Sequence, residues 1–165
     1  MATLALGDPA AARDEAQRVL DAGDRNYTEE PAIELLVLAD ALVALEDWEG
    51  LAAFLPDLRA RQWLLAVGEP TADRAEALVR AAAGEIGPAV ELLERAIAGF
   101  DRLSPFEAAR TREALAALDP GRRATLLDEA LATYDRLGAR PHAERVRGAL
   151  GSATPVEGDG RPDPA

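Results

Sequence analysis

The chain contains no lysine, so all 18 of its basic residues are arginines. A standard Walker A loop places a lysine on the nucleotide phosphates, and Schiff-base enzymes need a lysine amine. Both classes are therefore excluded. Cysteine is absent as well, which excludes disulfide bonds and thiol chemistry.

Basic residues are also too few to balance the acidic ones, and the formal net charge is -12. Nucleic acids and anionic membranes are bound through clustered Arg and Lys, so this charge argues against both partners. The sequence starts without a basic segment before an apolar one, and its longest apolar run, residues 33–45, is interrupted by Asp40. We therefore expect neither a signal peptide nor a membrane span, and a cytoplasmic location.

Aromatic residues make up only 4% of the chain, whereas 48% of it is hydrophobic. Ala, Leu, Glu and Arg dominate and β-branched residues are sparse, a composition that favours helix. A chain of 165 residues with this hydrophobic content can bury the core of one domain. We predict an all-α protein.

Four short segments share a central acidic residue, and a helical apolar pattern follows each of them. The acids are Asp8, Asp47, Glu85 and Asp119, separated by 39, 38 and 34 residues. Apolar residues stand eight and eleven positions after each acid, on one face of a helix. The pattern predicts four turns that each lead into an amphipathic helix.

The last two units also match each other directly. Residues 92–103 align with residues 126–137 at an offset of 34, which places Phe100 on Tyr134. A repeat period in this range is typical of helical-hairpin solenoids.

Capping residues, prolines and glycines mark the ends of eight predicted helices. Their expected spans are 9–22, 29–45, 47–61, 71–83, 87–103, 105–117, 120–137 and 140–150. Thr71 is a predicted N-cap, and Ser104 is predicted to form a capping box with Glu107. Residues 151–165 are rich in Gly and Pro, so we expect a disordered tail after a helical domain at residues 1–150.

These residues resemble the tetratricopeptide repeat (TPR). Residues 84–97 follow the pattern of its second helix and residues 36–48 that of its first, with leucine in place of the usual tryptophan. More narrowly, residues 72–115 and 134–150 resemble the C-terminal repeat region of large bacterial signal-transduction ATPase regulators. These regulators are LuxR-type or linked to adenylate or guanylate cyclases.

The resemblance implies a right-handed, TPR-like α-solenoid of about four antiparallel helical hairpins. It also implies a scaffold for protein–protein interaction or intramolecular regulation in a bacterial signalling or transcription regulator. No ATPase, cyclase or DNA-binding segment is present, so those activities do not carry over. In this family the first helix of each hairpin lines a concave partner-binding groove, which here gives Leu36, Asp40, Val43, Glu76, Arg80, Arg110 and Glu113.

Other interpretations of the groove stay open. It packs on the rest of a larger protein, or it senses a small ligand in an enclosed pocket lined by Trp48 or Trp63. An enzyme would need carboxylates of strongly perturbed pKa in a closed cavity. We expect a non-enzyme without cofactor or metal.

The last predicted helix is basic within an acidic protein, since it carries Arg140, Arg145 and Arg147. These arginines form either a docking patch for an acidic partner or the polar cap that ends a solenoid. His142 is the only histidine and lacks the partners of a catalytic triad. We expect it to be an exposed residue at the start of this helix.

Residues 1–6 look like the remainder of a first helix, which predicts that the chain is a fragment of a longer regulator. The apolar face of helix 9–22 is formed by Ala12, Ala16, Val19 and Leu20. Little precedes this helix for it to pack on. We expect either upstream domains or a second copy of the chain, as a homo-oligomer, to cover this face.

Overall fold

The computed structural model describes residues 7–22 and 29–151, with the backbone alone at 29–32. The all-α prediction is confirmed, since these residues form eight α-helices and no strand. The helices are α1 (Pro9–Ala22), α2 (Glu29–Ala44), α3 (Trp48–Arg61), α4 (Gly68–Ala82), α5 (Ile86–Leu103), α6 (Pro105–Leu118), α7 (Arg123–Leu137) and α8 (Arg140–Gly151). A 3₁₀ turn at Gln62–Leu64 follows α3. The expected tail and the expected helix remainder at residues 1–6 lie outside the described residues.

The predicted helix ends agree with the observed ones within one residue, except at the starts of α4 and α7. Helix α4 begins at Gly68 because Thr71 is not a cap: its Oγ1 donates to the carbonyl of Val67, at 2.7 Å. Glycine is required at position 68, since a Cβ there would lie 2.0 Å from the carbonyl oxygen of Gln62.

Helix α7 begins at Arg123, later than expected, because Asp119 caps a turn ahead of the helix. The Oδ1 of Asp119 accepts the N–H of Arg122 at 3.2 Å, and Pro120 and Gly121 lie within that turn. The acid therefore marks the turn as predicted, although the helix starts after it.

The recurring acidic turn has the same local structure at several of its positions. Asp8 accepts the N–H of Ala11 and Asp47 that of Gly50, both at 2.9 Å. Such bonds satisfy N–H groups that the first turn of a helix leaves unpaired. In three of the turns the residue before the acid has a left-handed φ: Gly7 at 80°, Glu46 at 53° and Gly84 at 84°.

The helices pack on their neighbours in the chain, and α2 also contacts α4 directly. One group of buried side chains joins α1 to α4 and a second joins α4 to α8, so α4 belongs to both. Ala12 and Ala16 of α1 are fully buried in the first group. These two alanines are therefore covered by the chain itself.

The two matching units also place equivalent residues in equivalent environments. Phe100 of α5 and Tyr134 of α7 are both 0% exposed. Leu93 and Leu127, at the same offset, are both buried as well. Residues that are 34 positions apart are therefore equivalent in their packing as well as in the sequence alignment.

Candidate functional site

The first half of α4 is buried on every side, from residue 70 to residue 75. Two of these residues carry opposite charges: Asp73 is 3% exposed and Arg74 is 6% exposed. Successive residues of an α-helix point about 100° apart. The two side chains therefore reach different neighbouring helices.

Asp73 joins α4 to the helices on either side of it in the chain. Its Oδ1 lies 2.7 Å from Nη1 of Arg59 in α3 and 2.6 Å from Nη2 of Arg95 in α5. Burying a carboxylate is costly unless it is paired and hydrogen-bonded. The two arginines supply that pairing.

Arg74 reaches the opposite way, to α2 and α6. Its Nη2 lies 2.9 Å from Oδ1 of Asp40, and its Nη1 donates to Glu107. The guanidinium carbon also lies 5.1 Å from the ring centroid of Phe100, within the range of a cation–π contact. One buried arginine thus contacts α2, α5 and α6.

Arg110 of α6 closes this cluster. Its Nη1 lies 3.1 Å from Oδ2 of Asp40 and 3.1 Å from Oε2 of Glu107. Burial lowers the pKa of Arg110, but the charges of Asp40 and Glu107 outweigh burial and raise its pKa above the usual value. We call Asp40, Arg74, Glu107 and Arg110 the ionic quartet.

The ionic quartet is neutral in sum and only partly covered. The side chains of Asp40, Glu107 and Arg110 keep 24%, 23% and 31% of their surface exposed. Among the described residues, no buried side-chain polar atom lacks a hydrogen-bond partner. The quartet is therefore a fully paired polar surface where α2, α4 and α6 meet.

Glu107 explains why the expected capping box is missing. Ser104 occupies the N-cap position of α6, but its side chain makes no capping hydrogen bond. The carboxylate of Glu107 binds Arg74 and Arg110 instead of turning back to the N-cap. Two charge-assisted bonds outweigh one bond to a backbone amide.

The structure brings two of the predicted groove residues together, since Asp40 and Arg110 are in direct contact. Leu36 and Val43 are half-buried. Val43 packs on the buried group of α1 to α4, and Leu36 lies beside Leu58 of α3. These two apolar residues contribute to the interior as well as to the surface.

Glu76 and Arg80 do not join the quartet, which corrects the expected register of α4. Glu76 accepts a hydrogen bond from Arg59 at 2.7 Å, and Arg80 binds Glu76 and Glu85, each at 2.8 Å. The hydrogen bond from Arg59 holds the pKa of Glu76 below its usual value. The residue that faces α2 and α6 is Arg74, two positions earlier in the helix.

Sequence reasoning missed Asp73 and Arg74. The available signal was a pair of opposite charges inside the alanine-rich stretch at 72–75, where a buried helix would carry apolar residues. Charged residues are almost never fully buried unless they are paired. Their partners lie 14 to 34 residues away in the chain, so the sequence offered no local cue to the pairing.

Glu113, the last predicted groove residue, belongs to a second cluster. The hydroxyl of the buried Tyr134 donates to Oε1 of Glu113 at 2.5 Å, and Nη2 of Arg145 lies 2.8 Å from the same oxygen. Burial and the hydrogen bond to Glu113 raise the pKa of Tyr134 above its usual value. This cluster ties α6, α7 and α8 together.

His142 was expected to be exposed, but it is half-buried in this second cluster. Its ring centroid lies 5.0 Å from that of Phe106 and 5.1 Å from that of Tyr134. Nη2 of Arg145 lies 3.1 Å from Nδ1 of His142. Arginine can only donate, so Nδ1 accepts and the neutral ring carries its hydrogen on Nε2.

Two of the three arginines of the predicted docking patch are neutralised within the chain. Arg145 pairs with Glu113, and Arg147 pairs with Asp135 at 2.7 Å. Arg140 makes no ion pair within the described part of the chain. Of the three arginines in α8, only Arg140 is therefore left without an ion pair in the described part of the chain.

Acid is expected to weaken the packing of α8 through His142. Burial, followed by the charge of Arg145, lowers the pKa of His142 in the folded chain. As the pH falls below about 6.5, the unfolded chain therefore binds the proton first, and stability is lost down to the pKa of the folded chain. The midpoint of urea unfolding should fall more between about pH 7.5 and about pH 5.5 in the wild type than in His142→Gln. Equal decreases in both proteins would contradict this assignment.

The two tryptophans lie in different surroundings. Trp48 is half-buried and packs on the buried group of α1 to α4. Trp63 keeps 68% of its surface exposed, and its Nε1 donates to the carbonyl of Ala60 at 3.1 Å.

Within residues 7–22 and 29–151, no three His, Asp or Glu side chains converge to hold a metal ion. None of the helices in this part of the chain combines the length and apolar character needed to cross a bilayer. Comparison of the chain with protein-family models, curated proteins and solved structures finds no match in any of the three.

Proposed function

We propose that the chain is a TPR-like α-solenoid of about four hairpins that serves as a non-catalytic protein-interaction scaffold. Three features support this architecture. The helices pack on their chain neighbours, equivalent residues recur at an offset of 34, and α2 contacts α4 directly. In this architecture α2, α4 and α6 pair with α3, α5 and α7 as the first helices of their hairpins, and they line the concave face.

The ionic quartet is the observation that carries the proposal. It ties α2, α4 and α6 together through side chains that remain partly exposed. A surface fixed before binding loses less conformational entropy when a partner docks. We therefore expect the concave face to bind a protein segment. The segment comes either from another protein or from another part of a larger regulator.

The chemistry of the quartet favours a polar partner segment without large net charge. Its two carboxylates and two guanidinium groups neutralise each other, so a strongly charged peptide gains little net attraction. The exposed oxygens of Asp40 and Glu107 can accept further hydrogen bonds, and Arg110 can donate them. The amides and polar side chains of an extended segment provide such groups.

The perturbed carboxylates also support a non-catalytic role. Hydrogen bonds from arginines lower the pKa of Glu76 and of Asp119. A general acid working near neutral pH requires a raised carboxylate pKa instead. From the resemblance of the sequence, we place the scaffold in a cytoplasmic bacterial signalling or transcription regulator.

Affinity capture followed by reconstitution tests the proposed function. Tagged wild-type chain, Arg110→Gln and Arg112→Gln would be used to capture partners from an extract of the cells that express the protein. Arg112 is the matched control because it lies on the same helix and is also ion-paired, but to Asp101 and Glu129. We expect a partner that binds the wild type and Arg112→Gln, and binds Arg110→Gln about tenfold more weakly by calorimetry with purified proteins.

Equal weakening by both variants would contradict the concave face as the binding site. A partner whose affinity is the same for all three proteins would contradict it too. Circular dichroism of each variant separates loss of binding from loss of folding.

A further inference from the structure

The apolar core of the chain is divided at α4. The buried members that α4 contributes to the group of α1 to α4 are two alanines, Ala72 and Ala75. In the described part of the chain, the group of α4 to α8 begins at Ala77, and a third group around Phe100 begins at Val67. We call α1–α3 the N-terminal unit and α4–α8 the C-terminal unit. The C-terminal unit therefore has an apolar core of its own.

Two side chains, Asp40 of α2 and Arg59 of α3, connect the two units electrostatically. Among the residues whose side chains the structure describes, no other residue of α1–α3 forms an ion pair with α4–α8. The four pairs across the boundary are 2.7 to 3.1 Å long and are Asp40–Arg74, Asp40–Arg110, Arg59–Asp73 and Arg59–Glu76.

Each partner of Asp40 and Arg59 has a second counter-charge inside the C-terminal unit. These inner pairs are Asp73–Arg95, Glu76–Arg80, Arg74–Glu107 and Arg110–Glu107. Loss of Asp40 and Arg59 from the boundary would therefore leave no charge of this cluster unpaired. Asp40 and Arg59 are themselves partly exposed, so water can solvate them when the boundary opens.

The duplicate pairing lowers the free energy needed to separate the two units. Leaving a buried charge without a partner is the main cost of breaking a buried ion pair, and the inner pairs remove that cost. The buried apolar side chains that α4 would expose are alanines, which bury little area. Parts of a protein that are held in this way open at lower free energy than the whole chain unfolds.

We propose that the N-terminal unit opens in one cooperative step while the C-terminal unit stays folded, and that Asp40 and Arg59 form an ionic latch against this opening. The opening removes Asp40 from the ionic quartet. Arg74 and Arg110 then share Glu107 alone, so this part of the concave face changes from neutral to positive. The inference goes beyond the proposed function, since it concerns the conformations of the chain itself and its test needs no partner.

Hydrogen–deuterium exchange of the full chain, measured by mass spectrometry near neutral pH, tests the proposal. In the wild type, amides of α1–α3 should exchange faster than the most protected amides of α4–α8, because exchange reports the free energy of the opening that exposes each amide. In Asp40→Asn/Arg59→Gln, exchange in α1–α3 should become about tenfold faster. Exchange in α4–α8 should stay the same.

Arg112→Gln/Asp135→Asn is the matched control. It also removes one arginine and one aspartate from ion pairs between helices, but these pairs lie within the C-terminal unit. The most protected amides of α4–α8 should exchange faster in this variant. Amides of α1–α3 should keep their wild-type rates, because they exchange through the opening of their own unit.

Three results would overturn the proposal. Equal protection of α1–α3 and α4–α8 in the wild type would show that the chain opens as a single unit. Faster exchange throughout the chain in both double variants would show the same. Unchanged exchange of α1–α3 in Asp40→Asn/Arg59→Gln would exclude the latch. Complete exchange of α1–α3 in that variant, beside a protected α4–α8, would support the proposal even if the N-terminal unit no longer folds.

Discussion

Replacing Arg74 with methionine is expected to lower the free energy of unfolding by about 3–5 kcal/mol. The methionine fills much of the same volume but leaves Asp40 and Glu107 with only Arg110 to neutralise two carboxylates. Removing one partner of a buried ion pair leaves the other charge buried without a counter-charge. This accounts for the size of the expected loss in the free energy of unfolding. Urea unfolding near neutral pH measures it, and the total stability of such domains is only about 5–15 kcal/mol.

Arg80→Met is the matched control for Arg74→Met. It removes an arginine from the same helix, but one whose side chain is 40% exposed and whose partners are also partly exposed. Exposed ion pairs contribute little to stability because water screens both charges, so the loss should be much smaller than for Arg74→Met. Similar losses in the two variants would refute the central role of the buried arginine.

Replacing Phe100 with alanine should also cost about 3–5 kcal/mol. Phe100 is 0% exposed and packs with Ala96 and Ala108 where α5 meets α6. The substitution opens a cavity and removes the ring that lies 5.1 Å from the Arg74 guanidinium. Urea unfolding again provides the measurement.

Ile86→Ala is the control on the same helix, because Ile86 is 42% exposed. Its loss should stay within about 0.5 kcal/mol. The losses of Arg74→Met and Phe100→Ala should not add in the double variant, since contacting residues couple. Full additivity would show that the arginine and the ring act independently.

The helices and turns could be predicted from the sequence because their signals are local. Asp8 and Asp47 cap the helices that directly follow them, at 2.9 Å each. Phe100 and Tyr134 could be matched because apolar spacing fixes which side of a helix is buried. Such information lies within one or two helical turns.

The candidate site could be predicted only in part. Asp40 and Arg110 were chosen from the repeat pattern, and they are in contact although 70 positions separate them. In α4 the same pattern selected Glu76, whereas the residue that contacts Asp40 and Glu107 is Arg74, two positions earlier. The pattern also could not show that Arg145 is already paired with Glu113.

The sequence by itself determined the helical class, the recurring turns and the equivalence of the last two units, because propensity, capping and apolar period act between near neighbours. Only the tertiary structure decided which charges neutralise each other. It assigned Asp73 to α3 and α5 and Arg74 to α2 and α6, although the two residues are adjacent in the chain. The physical reason is that an ion pair forms over a few ångströms of space, and distance along the chain does not fix that separation.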